Sequence, residues 1–372
     1  MYLLIIFLSI TVVIILSYHL YLKTPQFGKM PEGALLERIQ QSPNFRHGRF
    51  RNRERINEHM SLSKVPVLIR QNRDKKISKR PTQQLSFNFE QPEEAKEGQL
   101  SFTWFGHSAL LIQLDGKKIL IDPMLGPYAS PVPGTVRRFS EAPVDQWNEM
   151  PEIDIVIYSH DHYDHLDYYT FKRIKDKVRH FVMPLGVSAH LMHWGLPAEK
   201  ITECDWGDEL DLGAIKLVCC PTKHFSGRSP KGRNTTLWSA WVIRGISHKL
   251  YFSSDSGYFS GFHEIGRQYG PFDICFVECG QYNILWKENH MMPEESFQAF
   301  MDLDGRYMVP IHWGAFSLAP HDWREPVERV LAEAKRRGED NRIIISQPGR
   351  TVQFENNMPQ ERWWLEEEVG QY

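Results

Sequence analysis

The sequence predicts an α+β fold: two β-sheets flanked by helices, preceded by one N-terminal transmembrane helix. Three observations predict it. Residues 3–22 are almost continuously apolar. From about residue 100, short apolar runs rich in β-branched and aromatic residues alternate with helical patterns. His or Asp follows several of those runs, the place where a strand ends and its chain turns. The chain has 372 residues, 41% hydrophobic and 24% charged, with a formal net charge of −2. That balance excludes a wholly disordered chain, a collagen-like fibre and a multi-span membrane protein. It offers no electrostatic case for nucleic acid as a partner. The five cysteines, Cys204, Cys219, Cys220, Cys275 and Cys279, show neither a C-x-x-C metal pair nor a secreted disulfide framework. They read as free thiols of a reducing compartment.

The apolar run LLIIFLSITVVIILSYHLYL is the first element. At 1.5 Å per residue, about 20 residues span a hydrocarbon core of about 30 Å. Tyr18 and Tyr21 stand at its far end, where amphipathic rings favour the interface. A cleaved signal peptide fits less well, because no Lys or Arg precedes the run and no small-x-small site follows it. Lys23, Lys29, Arg38, Arg46, Arg49, Arg51 and Arg53 come after the span. The positive-inside rule therefore expects a single-pass protein with its body in the cytoplasm.

Four segments follow from composition: an anchor over 1–22, a polar basic linker or N-terminal arm over 23–98, a main domain over 99–350 and a C-terminal tail over 351–372. In the arm, NRDKKISKRPTQQ (72–84) reads as a solvated loop, and SKVPVLIR as a segment able to pack on the main domain. The cations of the arm either touch anionic headgroups or belong to a plain solvated linker.

In the main domain, LSFTWFGHSALLIQL reads as β, followed by the turn Asp115–Gly116 and a second strand, KKILIDPML, of a hairpin. DIVIYSH is a buried strand ending at His160, YYTFKRIKDKV a helix, HFVMPLG a strand and SAHLMHWGL a helix. IKLVCCPTKH, SAWVIRG, KLYFSSDSG and DICFVECG are further strands. MPEESFQAFMDL opens a helix with Pro–Glu–Glu, and YMVPIHWG is a strand. EPVERVLAEAKRRG is an amphipathic helix ended by Gly338, and RIIISQPG is the closing strand.

The chemistry is concentrated in SHDHYDHLD, which holds His160, His162, Asp164 and His165 as an H-x-H-x-D-H array. Where a strand gives way to a turn, neighbouring side chains converge instead of alternating between faces. Imidazoles and carboxylates suit Zn²⁺, Fe or Mn²⁺. His224, Asp255 and His312 each follow an apolar β-run in the same way. Three such residues in matching positions read, with the array, as one metal site.

These residues carry a resemblance. Together with TWFGHSALLIQLDGKKILIDPMLGPYASP, RRFSEAP, GYFSGFHEIGRQYGPFD, ENHMMPEESFQAF and PIHWGAFSLA, they make residues 99–350 resemble the metallo-β-lactamase fold superfamily, an αββα sandwich. Within it, the chain is most similar to the N-acylphosphatidylethanolamine-hydrolysing phospholipase D family. The resemblance implies two divalent metal ions, Zn²⁺ being the expected species. His160, His162 and His224 would hold one, Asp164, His165 and His312 the other, with Asp255 and a water or hydroxide between them. A bridging Asp at 255 disfavours β-lactam hydrolysis and fits phosphoester, thioester or lactone hydrolysis.

The expected reaction is attack of the metal-held hydroxide on the phosphorus of an N-acylphosphatidylethanolamine-like phospholipid. His290, which precedes a Pro–Glu–Glu segment, or Asp164 would protonate the leaving group, so Asp164, Asp255 and His290 form the expected catalytic set. His107 and Asp122 are expected to orient ligands by hydrogen bonding. Phe225, Phe259, Leu285, Trp286, Met291 and Met292 are expected either to line an acyl-chain groove or to pack in the core. The expected partners are a membrane lipid and the bilayer, with no nucleic acid and a homodimer left open. The competing readings are a lactonase or phosphoesterase acting on a small soluble substrate, a nuclease, which lacks its usual extra domain here, and a metal-stabilised scaffold. Seven ligands shared by two metals leave open positions, which favours an enzyme over the scaffold.

Overall fold

A computed structural model describes residues 2–56, 62–90, 96–146, 151–356 and 358–366. In chain order the elements are α1 (Tyr2–Tyr21), α2 (Gly33–Gln40), β1 (Phe45–Arg46), β2 (Arg49–Phe50), α3 (Val65–Arg73), β3 (Leu100–Trp104), β4 (Leu110–Leu114), β5 (Lys117–Ile121), α4 (Pro143–Gln146) and β6 (Ile153–Ile157). They continue with α5 (Tyr168–Ile174), β7 (Val178–Pro184), α6 (Ser188–His193), β8 (Ile201–Cys204), β9 (Glu209–Asp211), β10 (Lys216–Cys220), β11 (Ala240–Arg244) and β12 (Lys249–Phe252). The last are α7 (Gly261–Tyr269), β13 (Phe272–Glu278), α8 (Pro293–Asp302), β14 (Gly305–Ile311), α9 (Glu325–Arg337), β15 (Thr351–Gln353) and α10 (Trp363–Glu366).

Two sheets result. One has the order β15-β3-β4-β5-β6-β7-β8, the other β14-β13-β12-β11-β10-β9. Successive side chains of a strand point to opposite faces, and here the two faces bury against different layers. Leu110, Ile112, Ile119, Ile121 and Ile157 join a core with Trp241, Ile243, Phe252 and Phe276 of the second sheet. The Phe102 and Phe276 rings meet edge to face across that interface at 5.2 Å. Leu111, Leu120 and Val156 face the other way, onto Phe171, Ile174 and Leu191 of α5 and α6. Phe262, Phe297, Val327 and Val330 of α7, α8 and α9 complete the large core. The layers are therefore helix, sheet, sheet, helix.

Local chemistry explains the joints. Asp115 and Gly116 turn β4 into β5 with φ of 49° and 74°, values that Gly and Asp tolerate in tight hairpins. The Asp167 side chain accepts from the Tyr169 and Thr170 amides and starts α5. Gly338, at φ 75°, ends α9.

Three expectations about elements are corrected. LSFTWFGHSALLIQL forms two antiparallel strands, β3 and β4, because the chain doubles back through Gly106 and His107 at φ 83° and 56°. Residues 342–349 are not a closing strand; Ile343 and Ile345 make only isolated bridges. The final strand is β15, which pairs antiparallel with β3. Residues 351–372, expected as a tail, thus supply an edge strand, and Trp363 and Trp364 are buried in the core.

The expected arm carries α2, a two-stranded ribbon and α3. Residue 1 of the expected anchor, 57–61 and 91–95 of the arm and 367–372 of the tail lie outside the described residues. Helix α1 buries none of its residues against the rest of the chain. By length and composition it is long and apolar enough to cross a membrane.

Candidate metal centre

The loops that leave β5, β6, β10, β12 and β14 gather at one edge of the sandwich. After β6, the His165 and Leu166 amides both donate to the His162 carbonyl. This tight turn presents the H-x-H-x-D-H side chains to one side. His160 Nε2 and His162 Nδ1 lie 2.9 Å apart, and His224 Nε2 is 3.3 Å from the same His162 nitrogen. Asp255 Oδ2 is 3.6 Å from His224 Nε2 and 3.8 Å from His160 Nε2.

A second group shares the same carboxylate. Asp255 Oδ2 is 3.1 Å from His165 Nε2, and its Oδ1 is 3.1 Å from His312 Nδ1. Asp164 Oδ2 lies 3.6 Å from His165 Nε2 and 4.0 Å from His312 Nε2. The structure therefore brings together all seven residues expected as ligands, in two groups that meet at Asp255. Each group, the second with His107, has ligand atoms within 4.8 Å of one another.

A ring of hydrogen bonds aims these side chains. Asp122 Oδ2 accepts from His165 Nδ1 at 2.7 Å, and its Oδ1 accepts from the Ser159 amide at 2.7 Å. His224 Nδ1 donates to the Asn289 carbonyl at 2.9 Å, and His160 Nδ1 pairs with Ser159 Oγ at 2.9 Å. In His160, His165 and His224 the outward nitrogen is thus engaged, which turns Nε2 inward. Ser108 Oγ reaches His312 Nδ1 at 3.0 Å. His107 reaches a carboxylate of the second group: its Nε2 bonds Asp164 Oδ2 at 2.8 Å, and its ring sits 4.0 Å from that of His312. His107, Asp122 and His312 all have positive φ, at 56°, 39° and 67°. Non-glycine residues adopt that region at a cost, and such outliers cluster at functional sites.

The electrostatics suit a cation. Burial, reinforced by neighbouring imidazoles, holds the pKa values of His160, His224 and His312 well below the ordinary histidine range. Neutral imidazole is the form that can give a lone pair to a metal. His165 is the exception: against its burial, Asp255, Asp164 and Asp122 raise its pKa well above the ordinary value. Burial opposes ionisation of the Asp164 and Asp255 carboxyls, but the His165 charge in turn holds both far below the usual range. Asp255 Oδ1 and His312 Nε2 are buried and make no hydrogen bond. Unsatisfied buried lone pairs are costly, and a bound cation would satisfy these two. The donor set of imidazoles and carboxylates fits Zn²⁺ and similar divalent ions.

His290 stands over both groups, its ring 5.1 Å from His224 and 5.2 Å from His312. Its side chain is 14% exposed, against 1% for His312, so it faces the opening. Its Nδ1 lies 3.6 Å from Glu278 Oε2. Burial works against the imidazolium, but Glu278, Asp255 and Asp164 raise the His290 pKa above its ordinary value. Burial pushes the Glu278 carboxyl up to about 7.

A cavity of about 360 Å³ opens over these groups. His162, Asp164, Asp255, His290 and His312 form its floor, and Phe225, Leu285, Trp286 and Leu318 give it apolar walls. Of the residues expected in an acyl groove, Phe225, Leu285 and Trp286 line it. Met291 and Phe259 pack in the core instead, and Met292 caps α8. Sequence reasoning missed Ser108, Ser159, Asn289 and Glu278, which adjoin motif residues or end an apolar strand. It also missed Asn52, for which the sequence carries no signal.

Comparison with known proteins gives the family and the fold. A model described as the beta-lactamase superfamily domain matches residues 117–313. An uncharacterized protein of Mycobacterium tuberculosis is 37% identical over 330 residues, covering 87% of this chain and 88% of its own. The N-acyl-phosphatidylethanolamine-hydrolyzing phospholipase D 1 of Caenorhabditis elegans is 30% identical over 269 residues, 68% of this chain and 75% of its own. The solved structure of a metallo hydrolase from the archaeon Ignicoccus hospitalis covers 70% of this chain and 100% of its own, with TM-score 0.53 and 22% identity. That last likeness concerns the fold.

Proposed function

Because the chain belongs to the beta-lactamase superfamily, close to the N-acylphosphatidylethanolamine-hydrolysing phospholipase D family, we propose that this metal-dependent hydrolase is a membrane-anchored phosphodiesterase of phospholipase D type. Its substrate is an N-acylphosphatidylethanolamine-like lipid, and its products are phosphatidate and an N-acylethanolamine. The observation that carries the reading is the meeting of two ligand groups at Asp255 beneath a cavity with apolar walls.

In this reading His160, His162 and His224 would hold one divalent ion, Asp164, His165 and His312 the second, and Asp255 would serve both; Zn²⁺ is the expected metal. Bound there, the metals supply Lewis acidity and a water ionised near neutral pH. The protein does the rest. Phe225, Leu285, Trp286 and Leu318 take up an acyl chain and exclude water from one side of the diester. His290 carries a proton toward the cavity and gives it to the departing alkoxide oxygen. Glu278, fully buried behind it with Oε2 3.6 Å from Nδ1, raises the pKa of that imidazole. Asp164 was the other expected proton donor. Against its burial, neighbouring imidazoles, His165 first, hold its carboxyl well below the usual range, and in this reading it serves as a ligand.

The anchor is α1. About 20 residues of apolar helix are long enough to span the hydrocarbon core, and the cations that follow it favour a cytoplasmic body. Its exit is held against the domain: Trp194 Nε1 donates to the Pro25 carbonyl at 2.7 Å, and Arg228 donates through Nε and Nη2 to that of Gln26. A tethered body meets bilayer lipid at high effective concentration.

Product analysis tests the proposal. Metal-loaded protein incubated with N-acylphosphatidylethanolamine in mixed micelles should release phosphatidate and N-acylethanolamine together. Release of free fatty acid alone, or turnover of lactones without any of the phosphodiester, would sink it.

A further inference from the structure

We propose that a cleft built from Arg80, Arg137 and Arg138, distinct from the metal centre, binds a phosphate monoester or an equivalent dianion. Arg138 is 2% exposed. Its Nε donates to the Gly126 carbonyl at 3.1 Å, its Nη1 to that of Phe105 at 3.1 Å and its Nη2 to that of Met124. Three carbonyls satisfy part of the guanidinium fork but bring no negative charge. Among the described residues, none of the three arginines forms an ion pair. Asp167 acts on Arg138 from a distance, and its oxygens are taken by Tyr169 and Thr170.

The three cations are also drawn together. Arg80 Nη2 donates to the Arg137 carbonyl at 2.9 Å. Burial pushes the Arg138 pKa down to about 9, and burial and then Arg137 lower that of Arg80. Two cavities, of about 220 and 180 Å³, both have Arg138 in their lining. Arg80, Arg137 and Thr82 line one; Ser86, Ser140 and Trp363 line the other. Neither has a carboxylate in its wall. The indole Nε1 of Trp363, itself 7% exposed, is buried without a hydrogen-bond partner. A buried cation without a counter-charge is costly, and a cleft whose charged groups are all guanidinia selects a multiply charged oxyanion. Phosphate monoesters carry close to two charges at neutral pH.

Occupancy would be felt at the metal centre. Arg138 bonds the carbonyls of Phe105 and Met124, two residues from His107 and from Asp122 respectively. Its guanidinium lies 4.6 Å from the Phe316 ring, whose edge-to-face neighbour at 5.4 Å is His107. A phosphomonoester lipid headgroup and free phosphate offer the same chemistry.

The test uses the full, metal-loaded chain in detergent and its R80Q/R137Q variant. Both side chains are exposed and outside the metal centre, so fold and hydrolysis stay intact; Arg138 is left alone because it ties three loops. Inorganic phosphate binding is followed by calorimetry. A second titration adds short-chain phosphatidate, with short-chain phosphatidylcholine as the control, to both forms in detergent. The metal centre also attracts phosphate, so the difference between the two proteins is what counts. The wild type should show binding that the variant loses by at least about tenfold. An arginine-dependent affinity for free phosphate assigns a soluble ligand; one seen only with the phosphatidate assigns a headgroup. Identical behaviour of the two proteins toward both probes overturns the site.

Discussion

Asn52 grips the backbone of His224 from both sides: its Nδ2 donates to the His224 carbonyl at 2.7 Å, and its Oδ1 accepts from the His224 amide at 3.1 Å. The segment after the apolar helix is thereby part of the metal centre. Asn52→Ala leaves two buried backbone groups unpaired, at about 1–3 kcal/mol each. Metal retention should fall about tenfold in competition with a chelator, while the circular dichroism spectrum stays that of a folded chain. Unchanged retention would show that the clamp does not position His224.

Asp122 holds His165 by a 2.7 Å hydrogen bond and is itself held by the Ser159 amide. Asp122→Asn replaces an acceptor by a group that is in part a donor. Metal affinity should drop about ten- to a hundredfold, as is usual when the partner of a ligating His is removed. Counting metals after dialysis checks this, and an unchanged count would contradict the role of Asp122.

His290 sits over the centre without belonging to either ligand group as proposed. His290→Ala should lower kcat by about 10²- to 10⁴-fold with the metal count unaltered. Glu278→Gln should lower it less, because the imidazole remains. Full turnover with unchanged KM in His290→Ala would end its part as proton donor.

Leu285 and Trp286 are half-buried in the cavity wall. Truncating Leu285 to Ala removes on the order of 1–2 kcal/mol of apolar contact, about five- to thirtyfold in kcat/KM for a long-chain N-acyl lipid. A short, water-soluble phosphodiester should be hydrolysed at the wild-type rate. Equal losses on both substrates would place the acyl chain elsewhere.

Much of the site was legible because metal chemistry restricts residue types and because strand ends are visible as breaks in apolar runs. The H-x-H-x-D-H array, His224, Asp255 and His312 stood out on both counts. The fold-back at Gly106 and His107 did not, since the run from Leu100 to Leu114 is apolar on both sides of the turn and only the backbone dihedrals betray it. Helix α7 was hidden by its glycines. At Gly266 an added Cβ would come within 2.2 Å of the Asp302 carbonyl, so the residue that weakens the helical pattern is what lets α7 approach the end of α8. Met291 and Phe259 have the character of groove residues, but being apolar beside an active site does not decide between wall and core. Contacts such as Asn52 with His224 depend on how distant segments pack, which periodicity does not encode.

The central claim is that Asp255 joins two metal ions into one hydrolytic centre. The most direct measurement is metal content per chain together with phosphodiester hydrolysis, for wild type and Asp255→Asn side by side. A binuclear centre predicts two ions per wild-type chain, with both stoichiometry and hydrolysis falling in the variant. One ion per active wild-type chain, or a variant that keeps full activity, would contradict it.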